Sequence, residues 1–235
     1  MAAAISLSDV LAELLNAKAP LAEKLAHYAD RQREANPKLA GIYDALIDRL
    51  RRGEVGAMAP AIGDEWPDFL LPDERGGLVR LEELNAKGPL VISFNRGHWC
   101  PWCRLELRNF AEHMTAISAL GAQFISVLPD RQPFFANLLS GAGRSLRLLT
   151  DVDLAYTLSL GLAFWIGDDL VAAYRAIGLQ LNRFHGNDAW FLPVPATFVI
   201  GRNGRVIARF VDPDFRKRMA VEDVIAALKA EVALA

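Results

Sequence analysis

The sequence predicts an α/β fold, a mixed central sheet flanked by helices, carried behind an N-terminal helical extension. Three features predict it. From residue 57 onward, short β-branched apolar runs alternate with segments of helical period, the pattern of a sheet with crossover helices. Two further runs flank Arg202-Asn203-Gly204, a turn that folds successive strands into a hairpin. The first fifty or so residues carry helical periodicity and no strand signal.

Taken in order, Leu7, Val10, Leu11, Leu14 and Leu15 recur at helical spacing, with Ser6 or Ser8 placed to cap that helix. Pro20 opens a second helix, in which Leu21, Leu25 and Tyr28 share a face. Asn36-Pro37 punctuates, and Leu39, Ile42, Tyr43, Leu46, Ile47 and Leu50 mark a third helix ending near Gly53. These helices form an arm over residues 1–56, and the α/β domain takes residues 57–235. The arm's apolar faces suit either a cover over that domain or a homodimer. Residues 64–72 read as extended, Gly76-Gly77 as a turn, and 79–81 as a strand fragment. Residues 90–94 form a compact apolar run suited to a buried strand, followed by a helix over 105–120 and a second buried strand over 124–128. A helix over 133–139 and a short strand over 147–149 follow. The stretch 160–192 is longer than the sheet needs and reads as a helix over 169–181 and then a loop, whose His185 and Trp190 either overhang the cysteines or, the favoured reading, lie on the loop surface. The hairpin strands 197–200 and 205–211 and a helix over 221–232 close the chain.

Composition narrows the function classes. With 235 residues, 52% hydrophobic and 23% charged, and a net charge of −2, the chain has the balance of a globular protein. It lacks the basic excess that nucleic acid or an anionic membrane would call for. No apolar run approaches the roughly 18 residues of a membrane span. The opening Met1-Ala-Ala-Ala-Ile-Ser-Leu-Ser lacks a basic leader region, so a cytoplasmic location is expected. Two cysteines are too few for a disulfide scaffold, and in a reducing compartment a Cys-x-x-Cys pair points to catalysis or metal binding. A structural zinc site needs four ligands and only His98 lies close in sequence, so neither metal nor cofactor is expected.

That pair, Cys100-Pro101-Trp102-Cys103, falls where a buried strand hands over to a helix. The free N–H groups and dipole of a helix start favour an anion, so a thiolate there is stabilised and its pKa falls below the usual value of about 8.5. Pro101 suits the first helical position, and Arg96 and Arg104 add positive charge nearby. Pro195, immediately before a buried strand, is a candidate cis-proline beside the pair. His98 can shuttle a proton or sit solvated on its loop. Trp99 and Trp102 read as packing around the site, with Trp102 alternatively offering an apolar surface to substrate.

Five segments in order carry a resemblance: residues 62–72 (Ile-Gly-Asp-Glu-Trp-Pro-Asp-Phe-Leu-Leu-Pro), 94–107 (Phe-Asn-Arg-Gly-His-Trp-Cys-Pro-Trp-Cys-Arg-Leu-Glu-Leu), Leu149-Thr-Asp151, residues 192–200 and residues 211–218. Together they resemble the peroxiredoxin-like AhpC/TSA proteins of the thioredoxin superfamily. The resemblance implies a thioredoxin-like fold and thiol redox chemistry. Aligned without gaps, Cys103-Arg-Leu-Glu106-Leu107 falls on the family's peroxidatic stretch and Cys100 on its threonine. The family's usual arginine falls on Pro195, and its usual proline on Arg96, leaving Arg96 or Arg104 to supply the missing cation.

Three functions fit these features. The first is a thiol peroxidase that reduces hydrogen peroxide or organic hydroperoxides through a dithiol/disulfide cycle, recharged by a thioredoxin- or glutathione-type reductant. The second is a disulfide oxidoreductase using the same two sulfurs, and the third a redox-sensing interaction domain. The helix-terminal position predicts an exposed, nucleophilic Cys100 with Cys103 resolving; the alignment predicts the reverse.

Overall fold

The computed structural model describes residues 6–142 and 146–234. Residues 1–5, read above for a leader, lie outside the described residues. Helices α1 (Leu7–Asn16), α2 (Leu21–Ala35) and α3 (Pro37–Arg52) come first, as their leucine spacing requires. The Ser6 side chain accepts from the Asp9 N–H to cap α1, and Asn36 caps α3 through the Leu39 N–H, with Pro37 in the first turn.

A small hairpin, β1 (Leu70–Pro72) and β2 (Leu78–Arg80), and the short α4 (Leu81–Asn85) lead into the sheet. Then follow β3 (Leu90–Phe94), α5 (Pro101–Ala119), β4 (Gln123–Leu128), α6 (Phe135–Ala142) and β5 (Arg147–Thr150). The stretch between β5 and the closing hairpin holds α7 (Ala155–Ser159), β6 (Ala163–Trp165), α8 (Asp168–Ala176), α9 (Leu181–His185) and β7 (Phe191–Pro193). The chain finishes with β8 (Ala196–Ile200), β9 (Val206–Val211) and α10 (Val221–Leu234).

The five-stranded sheet runs β5-β4-β3-β8-β9, parallel from β3 to β5 and antiparallel across β8 and β9. This is the mixed, thioredoxin-like arrangement expected. Phe94, the last residue of β3, pairs with Ala196, the first of β8. That register sets Pro195 and the loop carrying the cysteines at one end of the sheet.

Several expectations change. The helix expected over 169–181 breaks into α8 and α9 around Gly178, whose φ of +75° a helix cannot continue. The expected loop after it holds β7, which pairs with β6 in a separate two-stranded sheet. The Pro195 peptide is trans, since no cis bond occurs among the described residues. Val194 is held in line by its N–H bond to the Leu162 carbonyl (2.7 Å), so the chain runs from β7 to β8 without a reversal.

The arm packs on its own chain. One apolar cluster joins Leu11, Leu25, Tyr28, Tyr43 and Ile47 to Trp102, both cysteines, Phe94 and Phe198. A second cluster, with Phe110, Phe124, Val199 and Leu228, fills the other face of the sheet beneath α5 and α10. Of the two roles the arm's faces suited, they fill that of a cover within the chain.

Candidate active site

β3 ends inside the core, and Asn95 to Trp99 then turn the chain into α5, with Cys100 at its N-cap. Gly97 makes this turn possible. Its φ is +136°, and an added Cβ would stand 2.6 Å from Trp99 Nε1 and 2.8 Å from Asp130 Oδ1. Asp130, at the carboxyl end of β4, ties the loop down by accepting from the His98 main-chain N–H at 2.6 Å and meeting its Nδ1 at 2.9 Å.

Both sulfurs are fully buried, at 0% exposure. The expected exposure of Cys100 at the helix end is therefore overturned, because the arm lies across it. Trp102 is wedged edge-on among Tyr28 of α2, Tyr43 of α3 and Phe215, with ring centroids 5.2, 6.1 and 5.4 Å away. It packs rather than offering a surface to substrate.

Two donors from outside the pair end on Cys103 Sγ: the Arg96 main-chain N–H at 3.3 Å and Arg218 Nη2 at 3.4 Å. Arg218 is itself fixed by Glu106, whose carboxylate accepts from its Nε at 2.9 Å and from Thr197 Oγ1 at 3.3 Å. Burial raises the Glu106 carboxyl, and the neighbouring Arg218 charge opposes that rise. The Arg96 guanidinium is also fully buried but has no carboxylate partner among the described residues. It donates to Tyr174 Oη at 2.8 Å and lies over the rings of Phe215 (4.0 Å) and Trp99 (5.2 Å).

The charges balance in one way. Arg218 and Glu106 neutralise each other, leaving the Arg96 cation over. An isolated buried charge is costly, and one thiolate in the cysteine pair offsets it. The acidities agree. Burial alone would push the Cys100 thiol up. The hydrogen bond from Cys103 and the Arg96 and Arg218 charges outweigh it and bring Cys100 down to about 6. Burial and the contact with Cys100 drive Cys103 well up. The lowered thiol and the sulfur that receives the outside donors are thus different members of the pair. Because the two sulfurs share a hydrogen bond, they titrate as a pair, in which the lowered acidity belongs to Cys100 and the outside donors end on Cys103.

The remaining expected residues lie in a second rank. Arg104 closes the first turn of α5 onto the Cys100 carbonyl at 3.0 Å, and its guanidinium is not among the donors to either sulfur. The His98 ring stacks on Phe134 and meets Phe184 edge-on, turned to Asp130. His185 and Trp190, expected on a loop surface, are both buried. His185 Nε2 stands 3.7 Å from Asp130, and burial brings its imidazole down to about 4. Arg218 and Tyr174 were not singled out from the sequence; Arg218 ended one of the resembling segments, but nothing local marks it as the one of several cations that reaches Cys103. Among the described residues no cluster of three His, Cys, Asp or Glu is placed to hold a metal ion, and no helix is long and apolar enough to cross a membrane.

The AhpC/TSA family model matches residues 62–209. The chain belongs to the AhpC/TSA family. It is a peroxiredoxin-like protein of the thioredoxin superfamily. Peroxiredoxin bcp1 of Schizosaccharomyces pombe is 28% identical over 130 residues, which cover 51% of this chain and 65% of that protein. Among solved structures, peroxidoxin BcpB of Mycobacterium tuberculosis superposes with a TM-score of 0.56 at 21% identity, over 73% of this chain and 97% of that one. Peroxiredoxin Q of Xanthomonas campestris gives 0.52 at 21% identity, over 70% and 91%. These likenesses speak to the fold. Helices α1–α3 and Arg218 lie outside the AhpC/TSA match.

Proposed function

We propose that the protein is a thiol peroxidase working through a Cys103/Cys100 dithiol/disulfide cycle. The observation that carries this reading is a fully buried dithiol in which Cys103 Sγ receives the Arg96 main-chain N–H and the Arg218 guanidinium while the neighbouring Cys100 thiol is lowered to about 6. The peroxiredoxins among its relatives and the AhpC/TSA membership support it.

In the cycle, the thiolate at Cys103 attacks one peroxide oxygen. An S–O bond forms, the O–O bond breaks, and the departing oxygen leaves as water or an alcohol after taking up a proton. Sulfur loses two electrons and the peroxide gains them. Cys100 then attacks the Cys103 sulfenic acid, forming the S–S bond and releasing water. An external reductant, either one thioredoxin-type dithiol or two equivalents of a glutathione-type thiol, returns two electrons and two protons by exchange and leaves as its own disulfide. Arg218 stabilises the charge on sulfur and on the departing oxygen, the part that Arg96 or Arg104 was expected to play. Assigning attack to Cys103 follows its outside donors and departs from the assignment to Cys100 based on helix position.

The burial of both sulfurs beneath α2 and α3 favours a small peroxide over a protein disulfide, which would have to reach them through that cover. The test compares consumption of hydrogen peroxide and an organic hydroperoxide with reduction of insulin disulfides, all with dithiothreitol as electron source. Peroxide turnover that exceeds free dithiol by about 100-fold or more, and is lost in Cys103→Ser, is expected. Brisk insulin reduction with peroxide turnover no faster than free thiol would overturn the proposal.

A further inference from the structure

Where the chain turns from α8 into α9 it encloses a cleft of about 370 Å³, within the usual size range of small-ligand sites. Trp190, which is buried, forms part of its wall. The cleft borders the loop that leads to the dithiol. Arg175, in its lining, follows Tyr174, whose ring meets Trp99 at 5.6 Å. Arg183, also in its lining, precedes Phe184, whose ring meets His98 at 4.6 Å. Both contacts thus fall on the two residues just before Cys100, and both of those residues are partly exposed.

The charges of this cleft have no counter-charges of their own. Arg175 and Arg183 are exposed, and neither has a carboxylate partner among the described residues. Arg175 lies instead over the Trp190 ring at 5.2 Å, which holds its guanidinium on the wall and leaves the N–H groups to an incoming anion. Asp188, the one carboxylate among the described lining residues, has no cation partner among them either. The side-chain amides of Gln180 and Asn182 add donors and acceptors. Two cations and one anion, none satisfied within the chain, complement a ligand that carries two carboxylates and one ammonium.

We propose that this cleft binds a small peptide-like thiol with two carboxylates and one ammonium, of glutathione type, as the electron donor that recharges the dithiol. The inference rests on the peroxidase reading and deepens it by choosing between the two classes of reductant. A concave site with charges of both signs favours a small molecule over the broad face of a protein dithiol. The carboxylates meet Arg175 and Arg183, the ammonium meets Asp188, and the thiol is directed past Trp99 to Cys100. Its thiolate attacks the Cys100 sulfur of the disulfide, forming a mixed disulfide and expelling Cys103 as a thiolate onto its two outside donors. A second equivalent attacks the mixed disulfide and leaves as the thiol's own disulfide. Two thiols are oxidised, the pair gains two electrons, and the two thiol protons pass to the two cysteines.

Binding and exchange are tested separately. S-methylglutathione, which has no thiol to exchange, is titrated by calorimetry at low ionic strength into the protein with its dithiol oxidised. Its dimethyl ester, which lacks both carboxylates, should bind about tenfold more weakly, the modest worth of two exposed ion pairs. Arg175→Gln/Arg183→Gln should weaken the acid by about tenfold, and Asp188→Asn by about threefold. For exchange, glutathione and dithiothreitol are each made to reduce the preformed Cys100–Cys103 disulfide. The ratio of their kcat/KM values, glutathione over dithiothreitol, should fall about tenfold in the arginine variant. Absent S-methylglutathione binding, or binding unchanged in the arginine variant, would overturn the cleft as a site. So would a thioredoxin that reduces the disulfide only when both arginines are present, in a protein that does not bind S-methylglutathione. Binding that depends on the arginines, in a protein that turns over no peroxide with dithiothreitol, would uphold the cleft and remove the peroxidase reading instead.

Discussion

Replacing Arg96 with methionine removes a fully buried cation that has no carboxylate partner among the described residues, while keeping an unbranched apolar side chain over Phe215. If the thiolate is what balances that cation, its loss must make the thiolate harder to form. The lowering of Cys100 from 9.0 to about 6 amounts to about 4 kcal/mol of preference for the charged form. The Cys103 hydrogen bond, Arg96 and Arg218 share this effect, with Arg96 second among them. An Arg96 share of about one-third is about 1.4 kcal/mol, or roughly one pH unit. The assay is thiolate absorbance at 240 nm, followed from acid to alkaline pH with the Cys100→Ser/Cys103→Ser protein as blank, which does not require the sulfurs to be accessible. Wild type should titrate with a first midpoint near 6, and Arg96→Met about one unit higher, with peroxide turnover at pH 6 falling roughly fivefold. An unchanged midpoint would refute the charge balance, whatever happened to the rate.

Further outcomes follow from the same contacts. An acid whose value is depressed on folding contributes stability above its unfolded value, and that contribution is lost as pH falls through the folded one. Urea unfolding of reduced protein should therefore show wild type losing about 2–3 kcal/mol between pH 8 and pH 6 relative to Cys100→Ser/Cys103→Ser; the depressed His185 acts in both proteins and cancels. Arg218→Met strands Glu106 in the core and should cost about 3–5 kcal/mol in the same assay, with Glu106→Gln added to it restoring part of the loss. Gly97→Ala forces a Cβ against Asp130 and Trp99 at a positive φ and should cost at least about 1–3 kcal/mol by thermal or urea unfolding.

The elements that were legible in the sequence are those long enough to show a period. Leu39, Tyr43, Leu46 and Leu50 outline α3, and the fully apolar run from Leu90 to Phe94 outlines β3. The three-residue strands β6 and β7 and the five-residue helices α4, α7 and α9 are too short for a period to stand out, and their places are set by tertiary packing. The cysteine pair was readable because its spacing, its proline and its position between strand and helix are all local. Its surroundings were not. Arg218 lies 115 residues from Cys103, and Tyr174 lies 78 from Arg96, so only the fold brings them together. The helix-terminal position of Cys100 suggested an exposed sulfur because the N-terminus of a helix usually meets solvent. Tyr28 and Tyr43, from helices that precede the domain, supply the cover that reverses this.

The most direct test of the account is the fate of a single peroxide equivalent in the reduced Cys100→Ser protein, followed by intact and peptide mass spectrometry in the presence of dimedone. The account predicts a sulfenic-acid adduct on Cys103, formed at least about 100-fold faster than any adduct in Cys103→Ser. An inert Cys100→Ser protein alongside rapid labelling of Cys100 in Cys103→Ser would contradict it.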